Sequence, residues 1–403
     1  MRGSFRVVMV LAVLFCVYLP QATEARSWYV ERDGSGDFTV IQDAVDVAAS
    51  GDTIKIGPGR YDEKRLVTTP GWSDSVRVQV TQQELTFIGS GPETIVGPDQ
   101  PWESERSLDK GFASSDLWGN SIIRVNYMRM ENMGIAVYTS YNSSGDNLVK
   151  IEDCLFGGNK ESVYLIGNGG NVRIDSCLFE SVADDGHHVS AWTQGEIFIQ
   201  DCIFTLSNEI YGQDCFTISD VENASIVDCE VYGGTVGATV IFNGHTAFRD
   251  CIFDGQGTVA IIPSAGSSVS VDSCTFRNQI IAMYSDSSDN QFTMSYTAIE
   301  DVTDCSFFVE GAGIAEVNNC DLAKGGRGVV WVTDRPSCTS IKHLDFTNNH
   351  WGTADADSIQ AWIRDSNDTE NACYYVDYVP FSDVPLPTEK KSLGGLKAMF
   401  RGR

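Results

Sequence analysis

The sequence predicts an all-β protein: a parallel β-helix, one chain wound into a solenoid of about eleven coils, with a short capping helix at the N-terminal end and a cap at the C-terminal end. Three observations carry this. The frame apolar-x-x-Cys-x-Phe recurs in "KIEDCLF" (150–156), "RIDSCLF" (173–179) and "IQDCIF" (199–204), and continues to Leu344 at intervals of 23, 25, 27, 22, 23, 23, 23 and 24 residues. The segments alternate apolar and polar residues, as in Val172-Arg173-Ile174 and Val269-Ser270-Val271, which is the period of a strand. Gly, Asn, Asp and Ser fall between the segments as turn residues.

The repeat predicts which side chains face inward. The fourth position of the frame falls at Cys154, Cys177, Cys202, Cys229, Cys251, Cys274, Thr297, Cys320 and Leu344, and two residues on lie Phe156, Phe179, Phe204, Val231, Phe253, Phe276, Ile299, Leu322 and Phe346. Like residues of successive coils stack about 4.8 Å apart, so eleven coils make a rod roughly 50–55 Å long. The thiols then form an internal ladder, since a thiol is small and apolar enough for a tight corner. A second inward column starts at Val163, Val189, Cys215, Ala238, Val259, Ile281, Cys305 and Val329, followed by Leu165, Ala191, Thr217, Val240, Ile261, Met283, Phe307 and Trp331.

Along the chain, residues 1–25 read as a secretory signal: Arg2 and Arg6, a 13-residue apolar run from Val7 to Leu19, then Ala25 as the cleavage point. That run is too short to span a bilayer comfortably, and no later segment is apolar enough to do so. The mature protein is therefore expected outside the cell or on its surface, as a monomer. Residues 26–52 form the first strand and the capping helix. In "TVIQDAVDVAASG" Thr39 and Gln42 make a capping box, Gly51 ends the helix, and Ile41, Ala44, Val45 and Ala48 form its apolar face. Residues 53–352 are the solenoid. Residues 353–381, with a helix at "DSIQAWIRD" (357–365), are the C-terminal cap, and 382–403 form a flexible basic tail.

The net charge is −27. Such a surface repels nucleic acid and anionic membranes, and repels acidic polysaccharides unless a cation such as Ca²⁺ bridges the two. Acidic loops such as "SDSSDNQ" (285–291) and "DSNDTEN" (365–371) carry oxygen ligands suited to Ca²⁺, but the same residues suit turns, and no cofactor is specified. No zinc spacing, phosphate loop or Gly-x-Ser-x-Gly elbow is present.

"DGSGDFTVIQDAVDVAASGDTIKIGPGRYDE" (33–63) resembles the opening of pectin methylesterases and of the wider pectin-lyase-like right-handed β-helix group, and "NNHWGT" (348–353) resembles the closing coil of secreted bacterial right-handed β-helix proteins. The resemblance implies a right-handed solenoid and an extracellular polysaccharide as partner, and it does not specify the reaction. "ATVIFNGHTAFRDCIFDGQGTV" (238–259) resembles the esterase segment in which Gln256 matches a family glutamine. Gly257, however, stands where the family has its acid/base aspartate, Gln279 and Ile280 stand where it has its nucleophile, and Gly237 replaces a further glutamine. Ester hydrolysis by that route needs both carboxylates, so esterase activity is not expected.

The most suggestive polar stretches are "ADDGHHVSAW" (183–192) and, one coil later, "YGQDCFTI" (211–218). Aligning Val189 with Cys215 stacks His188 on Asp214 and His187 on Gln213, facing outward or into the bend before the strand. Asp185, His188 and Asp214 are then candidate acid/base groups, with Gln213 beside them; turn geometry explains the same residues. Long early loops carry Trp102, Trp118 and Tyr141, whose rings are either sugar platforms or packing for the loops. Two readings stay open: a protein that binds and cleaves extracellular polysaccharide, and a non-catalytic adhesin-like spacer. Eleven cysteines remain after the signal, an odd number; with the two ladders set aside, Cys338 and Cys373 are expected to form a bridge that clamps the C-terminal cap.

Overall fold

A computed structural model describes residues 24–386, except 70–71, 82–83, 104–108, 117–121, 142–146, 168–169, 208–211, 243, 334–340 and 370–371; at 68–69, 72–73, 115–116, 141, 147 and 184–185 it describes the backbone alone. The chain winds through three walls, and nearly all strand pairing is parallel. The first wall is a 14-stranded sheet that begins with Ser27–Val30 and ends with Tyr374–Asp377. The second wall stacks short strands such as Ile203–Thr205, Glu230–Tyr232 and Ile252–Asp254. The third runs from Trp72–Val80 and Lys110–Asp116 through Asp214–Ser219 and Val236–Ile241 to Gly328–Val332. Two long strands, Leu155–Gly167 and Leu178–Thr193, pass from the second wall into the third. This is a parallel solenoid of about eleven coils, as the repeat predicts. Among the described strands one pairing is antiparallel, the hairpin Arg65–Thr69 with Trp72–Val80.

The cysteine frame has a local cause. The residue before each ladder position sits in the left-handed region: Asp153, Ser176, Asp201, Asp228, Asp250, Ser273, Tyr296 and Asn319 all have φ between 48° and 55°. Asp and Asn tolerate that conformation best among non-glycine residues, which explains the repeated "DC". At this corner the carbonyl two residues before the ladder accepts the corner N–H of the preceding coil, as Asp175 O does from Asp153 N–H at 3.2 Å, and the ladder side chain adds a second bond to it. Cys177 Sγ donates to Asp175 O at 3.2 Å, Cys202 to Gln200 O at 3.1 Å and Cys251 to Arg249 O at 3.2 Å; Thr297 Oγ1 makes the same bond to Ser295 O at 2.8 Å. Cysteine recurs because it is a small donor that is cheap to bury. Burial pushes the thiols of Cys154, Cys202, Cys229 and Cys274 well above their ordinary range, so they stay protonated donors. Tyr296 is the misfit of this corner column, at φ 48° with a 58%-exposed ring. Tyr296→Asn is expected to stabilise the fold by about 1 kcal/mol, read as a raised urea midpoint with unchanged slope.

Beside the ladder the phenylalanines stack. Phe156 and Phe179 lie 4.5 Å apart at 2°, Phe179 and Phe204 4.5 Å apart at 16°, and Phe253 and Phe276 5.1 Å apart at 8°. All five are fully buried.

Four expectations are corrected here. The ninth ladder position is Asn349, not Leu344: Asn348 has φ 61°, and Asn349 Oδ1 accepts the Cys320 N–H at 2.8 Å, while Leu344 pairs with Val376 in the first wall. In the third wall the inward column runs Val163, Val189, Phe216, Ala238, Ile261, Met283, Phe307 and Val330, so Thr217 and Trp331 face outward. The capping helix is Ile41–Val47 with Val40 at its N-cap and no side-chain cap; Gln42 instead accepts the Gln79 N–H at 2.6 Å, tying the helix to the third wall. Its predicted apolar face is buried. The second helix is Ala356–Gln360, capped by Asp355, and is shorter than expected. Cys338 lies outside the described residues, and no disulfide occurs among the described ones.

Candidate functional site

The third wall turns polar at one place. The position that opens each of its strands can be followed by register: Val76, Lys110, Ile135, Glu161, His187, Asp214, Val236, Val259, Ile281 and Cys305. Apolar residues are the rule in this column because it lies at the bend against the core. Three consecutive coils break the rule with Glu161, His187 and Asp214. Lys110, two coils earlier, is already engaged: it forms an ion pair with Asp74, and its Nζ lies 3.8 Å from the Tyr138 ring centre.

Beside these groups runs the outward column of the same strands: Tyr138, Tyr164, Ser190, Thr217, Thr239 and Ile262. Tyr138 and Tyr164 stack with ring centres 6.0 Å apart and planes at 6°. Ser190 Oγ donates to Glu161 Oε2 at 2.7 Å, and His187 Nδ1 lies 3.5 Å from Thr217 Oγ1. Asp214 is half-buried and accepts from the Thr239 hydroxyl and the Val236 N–H; burial outweighs both and pushes its carboxyl up to about 6. Two residues beyond Ser190 in the strand Leu178–Thr193, Trp192 faces outward and is 41% exposed, with Ile166 of the preceding coil at 38%. One face thus holds two carboxylates, an imidazole between them, a row of hydroxyls and an open indole.

The structure brings together only part of what the sequence suggests. The register places His187, not His188, against Asp214, because Val189 pairs with Phe216 rather than Cys215. His188 points inward, fully buried, between the rings of Phe179 (5.4 Å) and Phe204 (5.8 Å). Its Nε2 faces Thr205 O at 3.2 Å and its Nδ1 faces Ser162 Oγ at 3.4 Å. A carbonyl only accepts, so Nε2 carries the proton and Nδ1 receives the hydroxyl. Burial drives its pKa down to about 3, which makes His188 a neutral core residue and not an acid or base at the site. Gln213 is likewise buried: Nε2 donates to Val182 O at 3.1 Å, and Oε1 accepts the Ser207 N–H at 3.1 Å. Trp102 is 7% exposed and packs its loop, so its ring is not an open platform. Trp118 lies outside the described residues, as do the side chains of Tyr141 and Asp185.

Glu161 and Trp192 are what sequence reasoning missed. For Trp192 the signal was present, since period-2 alternation from inward Val189 places Ser190 out, Ala191 in and Trp192 out.

The positions compared with esterase residues are structural. Gln256 Nε2 donates to Gly233 O at 3.1 Å and Gln279 Nε2 to Gln256 Oε1 at 2.8 Å, both side chains being buried at the corner after the Phe stack. A Cβ on Gly237 would lie 2.5 Å from Ala260 O and 2.8 Å from the Phe253 ring, so no side chain fits there.

Residues 114–276 match the family described as "Right handed beta helix region". Among curated proteins, the chain is 24% identical over 198 residues to probable pectinesterase 55 of Arabidopsis thaliana, covering 46% of this chain and 51% of that one. It is also 24% identical over 231 residues to probable pectinesterase 29 of the same plant, covering 53% and 59%. The chain thus spans little more than half the length of these relatives. Among solved structures it resembles the catalytic domain of a GH87 α-1,3-glucanase in complex with tetrasaccharides, with a TM-score of 0.58 at 12% identity, over 89% of this chain and 70% of that one, a likeness of fold. Repeat, wall geometry and relatives agree on the fold: the chain is a right-handed parallel β-helix, similar to proteins of the pectin-lyase-like superfamily.

Proposed function

We propose that this protein is secreted and binds a polysaccharide chain along its third wall, and that Asp214 and Glu161 hydrolyse a glycosidic bond of that chain. The observation that carries the reading is the break in the bend column, where Glu161, His187 and Asp214 occupy consecutive coils beside outward Ser190, Thr217 and Trp192. Burial raises Asp214 so that it holds a proton near pH 6, as a general acid needs to. Glu161 lies two coils away, about 9–10 Å along the axis from the 4.8 Å strand spacing, which leaves room for a water between the carboxyls. In the proposed step Asp214 protonates the leaving oxygen as the glycosidic bond breaks, and Glu161 takes a proton from the water that attacks the sugar carbon. Such spacing goes with inversion at the anomeric centre. His187, between them, hydrogen-bonds the chain. The polysaccharide-acting names among the relatives and the apolar run at the N-terminus support the class of partner and the secretion. The bridge between Cys338 and Cys373 belongs to the same extracellular reading.

Trp192 supplies a flat apolar face of the kind that dominates binding energies at interfaces. Trp192→Ala is expected to cost about 2 kcal/mol, roughly thirtyfold in Kd, for whichever polymer a polysaccharide panel identifies, with the melting temperature nearly unchanged because the ring is exposed. Unaltered binding by this variant would remove the third wall from consideration. New reducing ends in the same panel score the hydrolysis separately.

A further inference from the structure

The coils that carry Glu161, His187 and Asp214 are unusual in their basic residues. From residue 161 to residue 276 the sequence holds only two, Arg173 and Arg249. Both lie on the first wall: Arg173 in the strand Gly170–Asp175, with its guanidinium 5.0 Å from the Phe198 ring, and Arg249 in the strand His245–Arg249. Lys160, just before Glu161, lies with its Nζ 5.4 Å from the centre of the Trp102 ring, and beyond it, from Glu161 to Phe276, the third wall and the loops between its strands carry no Lys or Arg. In its bend column the charged groups are Glu161 and Asp214, and His187, in register with Asp214, can gain positive charge between them. Lys110, higher in the column, is held by Asp74 and the Tyr138 ring. The outward groups that reach the surface are a hydroxyl and apolar area, Thr217, Ile166 and Trp192, while Ser190 is buried against Glu161. Among the described residues no group of three or more His, Cys, Asp or Glu side chains stands ready to hold a bridging cation.

Resting on the reading of this wall as a glycan site, we infer that the sugar units crossing the Glu161–Asp214 coils are uncharged. A uronate or sulfated unit there would bring an anion against two carboxylates, with the nearest ammonium, that of Lys160, placed beside the Trp102 ring, and like-charge juxtaposition in a partly desolvated site is strongly unfavourable. A neutral sugar matches the wall: its apolar face lies on Trp192, and its hydroxyls meet the part-exposed Thr217.

The matched test is affinity electrophoresis of the intact protein in polygalacturonate, in the same polymer fully methyl-esterified, and in neutral glucan, xylan and mannan, each with EDTA and with Ca²⁺. At least one neutral or esterified polymer is expected to retard the protein at least tenfold more strongly than polygalacturonate, with Ca²⁺ failing to close the gap and Trp192→Ala abolishing the retardation. Ile262→Arg, which places a cation on the same outward column, is expected to raise retention in polygalacturonate. Equal or stronger retention in polygalacturonate, with or without Ca²⁺, that Trp192→Ala abolishes would overturn the inference while leaving the wall as the site. Retention in none of the polymers would overturn both the inference and the glycan reading.

Discussion

Asp214→Asn is expected to lower polysaccharide cleavage by at least a hundredfold while leaving binding within a few-fold of the parent. The amide keeps the shape of the side chain and its bond to the Thr239 hydroxyl but cannot deliver a proton. The wild-type pH profile follows from the same group. Burial lifts the Asp214 carboxyl to about 6, so the proton-donating form prevails below that pH and is lost above it, and cleavage is expected to fall as pH rises through 6. An assay across pH 4–8 with parent and variant checks both statements, and a parent rate that climbs from pH 6 to pH 8 would remove Asp214 from the acid role.

The second large effect is on the fold. Phe204 is fully buried, stacked on Phe179 at 4.5 Å and set edge-on to Phe216 at 4.8 Å, with His188 at its other edge. Phe204→Ala removes the ring and leaves a cavity in a rod that cannot collapse across its strand spacing, at a cost of about 3–5 kcal/mol. Chemical unfolding of parent and variant measures it, and a loss below 1 kcal/mol would contradict the stacked core. The neighbouring His188 adds a pH signature. Its folded pKa is depressed to about 3 from the ordinary 6.5, so the native state resists its protonation, and stability is expected to fall as pH drops from 6.5 toward 3. Asp214 acts in the opposite sense: its folded pKa is raised, so its contribution is fully present below 3.8 and is lost as pH rises through about 6.

The walls were legible because their cause repeats. Each corner needs a left-handed residue followed by a small buried donor, and that chemical demand writes "DC" into the chain coil after coil. Where the demand was met by another residue, as with Thr297 and Asn349, the frame blurred, and the last coil was read through Leu344 instead. The site was less legible. Its groups are fixed by a pairing one residue away from the expected alignment, Val189 with Phe216 and not with Cys215, and by a bend at which two consecutive residues, His188 and Val189, both turn inward and break the alternation of a strand. That is why His188 was expected at the surface and is in the core. Glu161 escaped notice because it lies in an unremarkable stretch, and only the pairing of Glu161 with His187 places it above Asp214.

Hydroxyl-radical footprinting with and without saturating neutral oligosaccharide tests the central claim most directly. Trp192 is 41% exposed on the third wall, whereas Tyr29 (45%) and Tyr296 (58%) lie away from it and serve as controls. The account predicts that bound sugar slows oxidation of Trp192 severalfold and leaves both tyrosines unchanged. Protection of the controls with Trp192 still fully reactive would contradict it.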